Sequence, residues 1–254
     1  MPPSGFRLIE VEATTSTNTA CLEAAQSGDP GNLWIRAERQ SSGRGSRGRS
    51  WESLPGNLFA SLLLVDPGPT ASLANLTFVA ALGVHDGLGR LAAAHGIAPD
   101  ITLKWPNDVL INGRKVSGIL LEHHMVGRRA AVIIGIGVNC AGHPGATTHA
   151  ATDLAAEGMP APPRDVLELT AQAIAGWLGR WGRGTGFPDI RRAWLARASA
   201  LGRPIVARLP SGDVAGIFED LDAQGQLVLR RPDGRAVTIA AADIFFDAGG
   251  LVGA

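Results

Sequence analysis

The fold is decided by the stretch Gly43-Arg44-Gly45-Ser46-Arg47-Gly48 and by the residues that follow it. These six residues fit the Gly-x-Gly-x-x-Gly pattern of dinucleotide-binding turns, in which the last glycine opens a helix whose N-terminus faces the pyrophosphate. Here the turn-forming run Leu54-Pro55-Gly56-Asn57 comes next, and a second apolar strand pattern follows at residues 58–65. The sequence therefore predicts an arginine-rich loop between two strands and excludes a dinucleotide-binding helix at this point. The loop either binds an anion or is a solvated, flexible segment.

Outside this loop, apolar residues recur with both helical and strand periods. Helices are predicted over residues 19–26, 71–94, 164–181 and 188–198, and strands over residues 6–12, 33–37, 58–65, 101–105, 109–111, 115–124 and 131–138. Small residues on one face of the 71–94 helix predict close packing on a sheet, and Asn112-Gly113 is a hairpin signal. Together these patterns indicate an α/β fold.

The pattern changes to short β runs after Arg203. Strands are predicted over residues 205–209, 214–219, 227–230 and 236–240, separated by glycine-containing turns. Four or five strands over about fifty residues predict a small β-barrel. The chain is thus expected to divide near Gly202 into a domain of residues 1–201 and a domain of residues 202–254.

Charge and cysteine content argue against several classes of protein. The 23 basic residues equal the 23 acidic residues, and the basic residues of the glycine and arginine loop have a single adjacent aromatic residue, Trp51. This is unlike a nucleic-acid surface, which has a broad basic patch with interleaved stacking residues. Two cysteines are too few for a disulfide scaffold and suit a reducing compartment, so a cytoplasmic protein without membrane spans is expected.

Two lysines are predicted near one strand end. The first opens the motif Lys104-Trp105-Pro106-Asn107-Asp108, and the second is Lys115, after the hairpin. A site that joins a carboxylate to the α-phosphate of ATP needs cations there, because negative charge builds on the phosphorus oxygens. Asp108 is a candidate ligand of Mg²⁺, which prefers carboxylate and phosphate oxygens. The alternative is that Asn107 and Asp108 are turn residues after a proline.

A second glycine motif, Gly135-Ile136-Gly137-Val138-Asn139, ends a predicted strand. Glycines on a strand suggest close approach by a ligand, here an adenylate lying across the sheet. A β-bulge followed by a turn asparagine remains the alternative.

The motifs, taken in order with Ser16-Thr17-Asn18, Gln40 to Trp51, and Arg114 to Leu120 with Glu122, closely resemble the catalytic domain of biotin protein ligases. The resemblance covers residues 11–139. It implies a mixed α/β sheet related to class II aminoacyl-tRNA synthetases, followed by an SH3-like barrel. It also implies an ATP-dependent ligase that forms biotinyl-5′-AMP and transfers biotin to a lysine of the biotin carboxyl carrier domain of a carboxylase.

The resemblance implies a role for each matched residue. Biotin binding is implied for Ser16, Thr17, Asn18, Gln40, Arg44, Gly45, Ser46, Lys115 and Gly118. ATP or adenylate binding is implied for Arg47, Arg49, Trp51, Asn107, Gly135, Gly137 and Asn139. Catalysis is implied for Lys115, Arg44 and Lys104, with Asp108 as the candidate Mg²⁺ ligand. Lys115 matches the lysine that contacts both the biotin carboxylate and the α-phosphate.

One position departs from the family pattern. Many members carry arginine where this chain has Ser46, and a serine lacks the bidentate cation that helps to hold the adenylate. We therefore expect either that Arg44, Arg47 or Arg49 compensates, or that the intermediate leaks more readily.

Two other functions compete with this interpretation. A lipoate ligase or lipoyl/octanoyl transferase of related fold would also act on a carrier lysine, but the glycine and arginine loop and the Lys104 motif favour biotin. A nucleic-acid-binding module built on the arginine loop would show steeply salt-dependent binding. About ten residues precede the first matched segment, so no N-terminal DNA-binding domain and no nucleic-acid partner are expected. A monomer or a homodimer fits equally well.

Overall fold

The computed structural model describes residues 3–145 and 150–246, so residues 247–254 of the expected C-terminal domain lie outside the described part. The first seven strands are β1 Arg7–Thr14, β2 Leu33–Gln40, β3 Leu58–Val65, β4 Ile101–Lys104, β5 Asp108–Ile111, β6 Arg114–Val126 and β7 Arg129–Val138. The later strands are β8 Pro204–Leu209, β9 Gly212–Leu221, β10 Leu227–Arg230, β11 Ala236–Ile239 and β12 Asp243–Phe246. The α-helices are α1 Thr17–Gln26, α2 Leu76–Ala94, α3 Pro163–Trp181 and α4 Phe187–Leu195.

The first seven strands form one sheet in the order β1-β2-β3-β7-β6-β5-β4. Strands β1 and β2 run parallel, and every other neighbouring pair is antiparallel. The sheet is therefore mixed, as predicted. Side chains alternate across it, so that Leu33 and Ile35 pack in one buried cluster with α1 while Trp34 packs in the larger cluster on the other face.

The larger cluster holds α2 and α3, and the small residues of α2 face α3 rather than the sheet. A Cβ atom added to Gly83 would lie 2.2 Å from Cγ1 of Ile174, and one added to Gly87 would lie 2.7 Å from Cγ2 of Thr170. The prediction that this glycine face packs on a sheet was therefore wrong. Absent side chains at these positions let the two helix backbones approach each other.

Helix boundaries also differ from the sequence pattern. Residues Thr70–Asn75 form a 3₁₀ turn, so α2 begins at Leu76 and not at residue 71. The apolar spacing continues through both segments and does not distinguish a 3₁₀ turn from an α-helix. Trp177, Trp181 and Trp194 are buried, so they are packing residues.

The last five strands form an antiparallel sheet in the order β11-β10-β9-β8-β12. No pairing closes β11 onto β12 within residues 3–145 and 150–246, so the expected closed barrel is not found there. This sheet is anchored beside the first one, because the indole Nε1 of Trp105 donates a hydrogen bond to the carbonyl of Gly225 at 3.0 Å. Among the described helices, none is both long and apolar enough to cross a bilayer.

Candidate active site

A cavity of about 510 Å³ opens on the α1 face of the seven-stranded sheet. This volume lies in the usual range for small-molecule sites. The predicted site residues that line it are Ser16, Thr17, Asn18, Gln40, Arg44, Gly45, Ser46, Arg49, Trp51, Asn107, Lys115, Gly118, Gly135, Gly137 and Asn139. The other three, Arg47, Lys104 and Asp108, are not part of this lining. Motifs from five separate stretches of the chain thus meet at one cavity.

One wall of the cavity is the N-terminus of α1, and its cap comes from a distant residue. The Ser16 side chain makes no capping hydrogen bond. Instead, Oε1 of Gln40 accepts from the backbone N–H of Thr17 at 2.9 Å, while Nε2 of Gln40 donates to Oγ of Ser53 at 3.2 Å. The polar residues at the start of the helix therefore do not supply its cap. Gln40 satisfies a free helix N–H and ties the helix to the end of the loop.

A chain of polar side chains crosses the sheet from α1 to the loop. The Ser61 hydroxyl lies 2.6 Å from Oδ1 of Asn18. Asn18 in turn donates through Nδ2 to Oε2 of Glu122 at 2.7 Å. The same carboxylate oxygen accepts from the guanidinium of Arg44 at 2.9 Å. Glu122 therefore fixes both Asn18 and Arg44, two residues predicted to bind biotin.

The glycines of the sheet make room for two of the predicted site residues. A Cβ atom added to Gly135 would lie 2.3 Å from Oδ1 of Asn18, and one added to Gly137 would lie 2.5 Å from the Trp51 ring. Gly118, the cross-strand neighbour of Gly137, lies under the same ring. The space above these glycines is therefore filled by side chains of the protein, namely those of Asn18 and Trp51. The expectation that an adenylate lies across this strand stays a prediction.

Trp51 lies at the centre of this surface. Its indole N–H is buried and has no hydrogen-bond partner among the described residues. Nζ of Lys115 lies 5.6 Å from the centre of its ring, within the range of a cation–π interaction. An unpaired buried donor beside a cation favours an acceptor-bearing, anionic ligand here.

The glycine and arginine loop is a short hairpin. The backbone N–H of Gly45 donates to the carbonyl of Arg49 at 2.7 Å, and that of Trp51 donates to the carbonyl of Gly43 at 2.9 Å. At the tip, both Arg47 (φ +59°) and Gly48 (φ +72°) are left-handed. Two consecutive positive φ values are those of a type I′ turn, which matches the twist of paired strands. Asn-Gly is the usual signal for this turn, and its Arg-Gly equivalent was not recognised in the sequence.

Ser46, the unusual residue of the loop, holds Arg49. The Arg49 guanidinium donates to the Ser46 hydroxyl at 3.0 Å and to the Ser46 carbonyl at 3.2 Å. Arg49 lines the cavity, so a cation lies beside Ser46 at the cavity wall. This geometry supports Arg49 as the compensating residue.

The two lysines lie on the two strands that flank the strand of Asp108, Lys104 on β4 and Lys115 on β6. Nζ of Lys115 lies 2.6 Å from Oδ1 of Asp108, and Lys104 pairs with Asp108 in register across β4 and β5. Burial lowers the pKa of Lys104 to about 8, although the negative charge of Asp108 opposes the shift. Lys104 is 5% exposed and its Nζ lies 5.5 Å from the centre of the Phe246 ring.

The two asparagines predicted to bind nucleotide also brace the strands around the cavity. Nδ2 of Asn107 donates to the carbonyl of Ile119 at 2.6 Å, which fastens the β4–β5 connection to β6. Nδ2 of Asn139 donates to the carbonyl of Thr152 at 3.0 Å. Both amides therefore have structural partners already.

Metal ligands are sparse at this site. Within residues 3–145 and 150–246, no group of three or more His, Cys, Asp or Glu side chains is placed to hold a metal ion. Mg²⁺ in nucleotide sites commonly uses one or two carboxylates together with phosphates and water. Asp108 fits such a site as a single protein ligand.

Sequence reasoning did not assign several residues that the structure brings to the site. The cavity lining also includes Ser50, Glu52, Phe59, Ile119, Leu120, Ile136, Pro144 and Ala151. Ser61 and Glu122 do not line the cavity, but they hydrogen-bond to residues that do. Ser61 contacts Asn18, and Glu122 contacts both Asn18 and Arg44. Glu122 belonged to a matched motif, but no charge partner for it was visible in the sequence.

Comparisons with known proteins agree with this geometry. The model of the biotin/lipoate A/B protein ligase family matches residues 10–139, and that of the biotin protein ligase C terminal domain matches residues 200–247. A biotin–[acetyl-CoA-carboxylase] ligase of Paracoccus denitrificans is 45% identical over 92% of this chain and 98% of its own length. The corresponding protein of Mycobacterium tuberculosis is 35% identical over 95% and 90%.

A solved structure shows the same fold. The biotin protein ligase of Aquifex aeolicus in complex with biotin and ATP superposes with a TM-score of 0.78, at 26% identity, over 94% of this chain and 97% of its own. With a family model over half of the chain and a relative 45% identical along nearly its whole length, the chain belongs to the biotin/lipoate A/B protein ligase family.

Proposed function

We propose that this protein is an ATP-dependent biotin protein ligase. The observation that carries the proposal is the single cavity in which the polar wall of Ser16, Thr17, Asn18 and Arg44 meets the cation of Lys115. A polar wall suits the ureido head of biotin, and a cation suits its carboxylate. The relatives named above act as biotin ligases, which agrees with this assignment.

The first step joins biotin to the nucleotide. An oxygen of the biotin carboxylate attacks the α-phosphorus of ATP, a new O–P bond forms, and the bond to the β-phosphate bridging oxygen breaks as pyrophosphate leaves. The ammonium of Lys115 offsets the negative charge on the carboxylate and the phosphorus oxygens. Lys104 adds a second cation, and the loop arginines Arg44, Arg47 and Arg49 contact biotin or the phosphates when the loop closes.

The second step transfers biotin to protein. The neutral amine of an acceptor lysine attacks the acyl carbon of biotinyl-5′-AMP and a C–N bond forms. AMP leaves as the C–O bond to its phosphate breaks, and the nitrogen releases one proton to solvent, which leaves a neutral amide. The carrier domain of a biotin-dependent carboxylase is the acceptor that we propose. Loop closure excludes water from the mixed anhydride.

Several finer assignments belong to this proposal. Mg²⁺ accompanies ATP, with Asp108 as its protein ligand, and when bound it neutralises phosphate charge. The chain divides into domains 1–201 and 202–254, of which the second is SH3-like, and the first sheet is of the class II aminoacyl-tRNA synthetase type. The free, buried thiols of Cys21 and Cys140 suit a cytoplasmic protein. We propose a monomer or a homodimer without a nucleic-acid partner.

Biotin-dependent exchange of labelled pyrophosphate into ATP tests substrate and chemistry together. We expect exchange that requires both biotin and ATP. Because the family includes lipoate ligases, a parallel calorimetric titration compares biotin with lipoate. Tight lipoate binding without biotin binding would overturn the proposal, and so would salt-sensitive nucleic-acid binding with no exchange.

A further inference from the structure

A carboxylate of the C-terminal sheet holds two arginines of the glycine and arginine loop. Asp243, the first residue of β12, lies with Oδ2 3.0 Å from Arg47 and with Oδ1 3.1 Å from Arg49. Each of its oxygens thus serves one guanidinium group. None of the motifs in the sequence pointed to Asp243, which is almost two hundred residues away from the loop along the chain.

Asp243 lies among more cations than it can neutralise. Beside the two arginines stands Lys104, whose ammonium feels the charges of both Asp243 and Arg49. The register partner of Asp243 on β8 is Arg208, whose guanidinium pairs with Asp213 at 3.5 Å. Asp108 acts on Lys104 and also pairs with Lys115. Two carboxylates, Asp108 and Asp243, therefore serve four cations, Arg47, Arg49, Lys104 and Lys115, and this positive excess suits a polyanion.

Arg47 pairs with Asp243 outside the cavity lining. Arg47 was expected to bind the nucleotide, yet its side chain is drawn to Asp243 and does not line the cavity, whereas Arg49 does. Its left-handed backbone is unfavourable for a residue with a side chain. The contact with Asp243 offsets part of that cost, so the loop tip is held by an interaction that a stronger anion would replace.

We propose that Asp243 is a positioning residue for adenylation: it holds Arg47 and Arg49 as their counter-ion in the empty enzyme, and the phosphates of ATP displace it when the loop closes. The inference rests on the proposed function. A phosphate group offers more charge and more acceptor oxygens than the carboxylate does, so both guanidinium groups transfer to it. Until then, Asp243 competes with ATP for the same two donors.

Removing this competitor strengthens nucleotide binding. Asp243→Asn keeps the shape of the side chain and removes its charge, and we expect it to lower the Kd for α,β-methylene-ATP roughly fivefold in calorimetry, the size of an exposed ion pair. The KM for ATP in pyrophosphate exchange falls in parallel, and the KM for biotin stays unchanged. In an Arg47→Ala/Arg49→Ala background the same substitution has no effect on the Kd, because nothing remains to compete for.

Glu219→Gln is the matched control, because Glu219 pairs with Arg230 within the same C-terminal sheet, away from the loop. We expect it to leave the Kd for the nucleotide unchanged. An unchanged or weaker Kd in Asp243→Asn, or a tightening that persists without the two arginines, overturns the inference. If the wild-type protein shows no biotin-dependent exchange, the proposed function itself fails; if it exchanges normally but Asp243→Asn binds the nucleotide no more tightly, only the positioning role fails.

Discussion

The carboxylate of Asp108 lies 2.6 Å from the ammonium of Lys115, and the two residues stand on the paired strands β5 and β6. The contact directs a cation into the cavity from a rigid part of the sheet. A cation held in place before the reaction costs little reorganisation when charge builds on the phosphate. The same geometry means that Lys115 contributes little to the packing of the core, since its side chain is 28% exposed.

Lys115→Ala is expected to keep the fold and to lose most adenylation. Loss of one preorganised donor to a developing oxyanion lowers kcat by about 10²- to 10³-fold. Pyrophosphate exchange measures the loss, and a thermal unfolding curve checks the fold. Arg128→Ala, which removes an exposed cation from the β6–β7 turn, serves as the control and is expected to retain full exchange. Wild-type turnover in Lys115→Ala would remove Lys115 from the mechanism.

Glu122→Gln is expected to weaken biotin binding more than ATP binding. The glutamate carboxylate accepts from both Asn18 and Arg44, so the amide leaves Arg44 without its counter-ion. A lost charge-assisted hydrogen bond of about 1.5 kcal/mol corresponds to a KM for biotin roughly tenfold higher. Steady-state kinetics with each substrate varied in turn give the two KM values. Glu12→Gln changes an exposed Glu–Arg pair, Glu12 with Arg39, and should change neither; equal rises in both KM values would argue against a biotin-specific role for Glu122.

Local period predicted the strands, and the resemblance carried by the short motifs implied the mixed sheet and most of the residues that line the cavity. Contacts between distant segments were not predictable in this way. Gln40 caps α1 across 23 residues, and Asp243 reaches the loop from the far end of the chain. The packing of Gly83 on α3 was missed for the same reason, since a small residue indicates close approach but not the partner.

Nucleotide binding is expected to weaken above pH 8. Burial lowers the pKa of Lys104 to about 8, so the side chain is cationic below that pH and neutral above it. The kcat/KM for ATP should then fall on the alkaline side by about tenfold per pH unit. Lys104→Arg keeps its charge at these pH values and should lose this decline.

Unfolding does not account for such a decline. The folded pKa of Lys104 lies below its ordinary value of 10.5, so the unfolded chain binds more protons between pH 8 and 10.5. This group therefore raises the stability of the fold as the pH rises through that window. A pH profile of Lys104→Arg with the same alkaline limb as wild type would show that another group titrates.

Ser46→Arg is expected to slow the dissociation of biotinyl-5′-AMP. In the wild-type protein the Arg49 guanidinium donates a hydrogen bond to the Ser46 hydroxyl. The variant would therefore place two cations, the introduced arginine and Arg49, where the wild type has one. A further charge-assisted hydrogen bond to the phosphate corresponds to about tenfold slower release. Release is followed by rapid mixing with excess unlabelled biotin and ATP. Ser46→Ala removes the hydroxyl without adding charge, so it separates the loss of the hydrogen bond to Arg49 from the gain of a cation. Identical release rates in wild type and Ser46→Arg would reject the leakage hypothesis.

Lys104 and Lys115 are the only lysines of the chain, and every other basic residue is arginine. The first is almost fully buried and the second is ion-paired, so no lysine amine stands free in solvent to be acylated by escaping adenylate. Arg192→Lys would supply an amine that solvent reaches, because the Arg192 side chain on α4 is 77% exposed, against 28% for Lys115, and its partner Asp189 is itself exposed. After incubation with biotin and ATP but without an acceptor, mass spectrometry should find biotin on residue 192 of this variant and on no lysine of the wild type. The label should increase with pH, since a free lysine has a pKa of about 10.4 and only its neutral amine attacks. Arg192→Gln controls for loss of the arginine. If Lys104 or Lys115 of the wild type is labelled as strongly as residue 192 of the variant, burial and ion pairing do not protect these lysines.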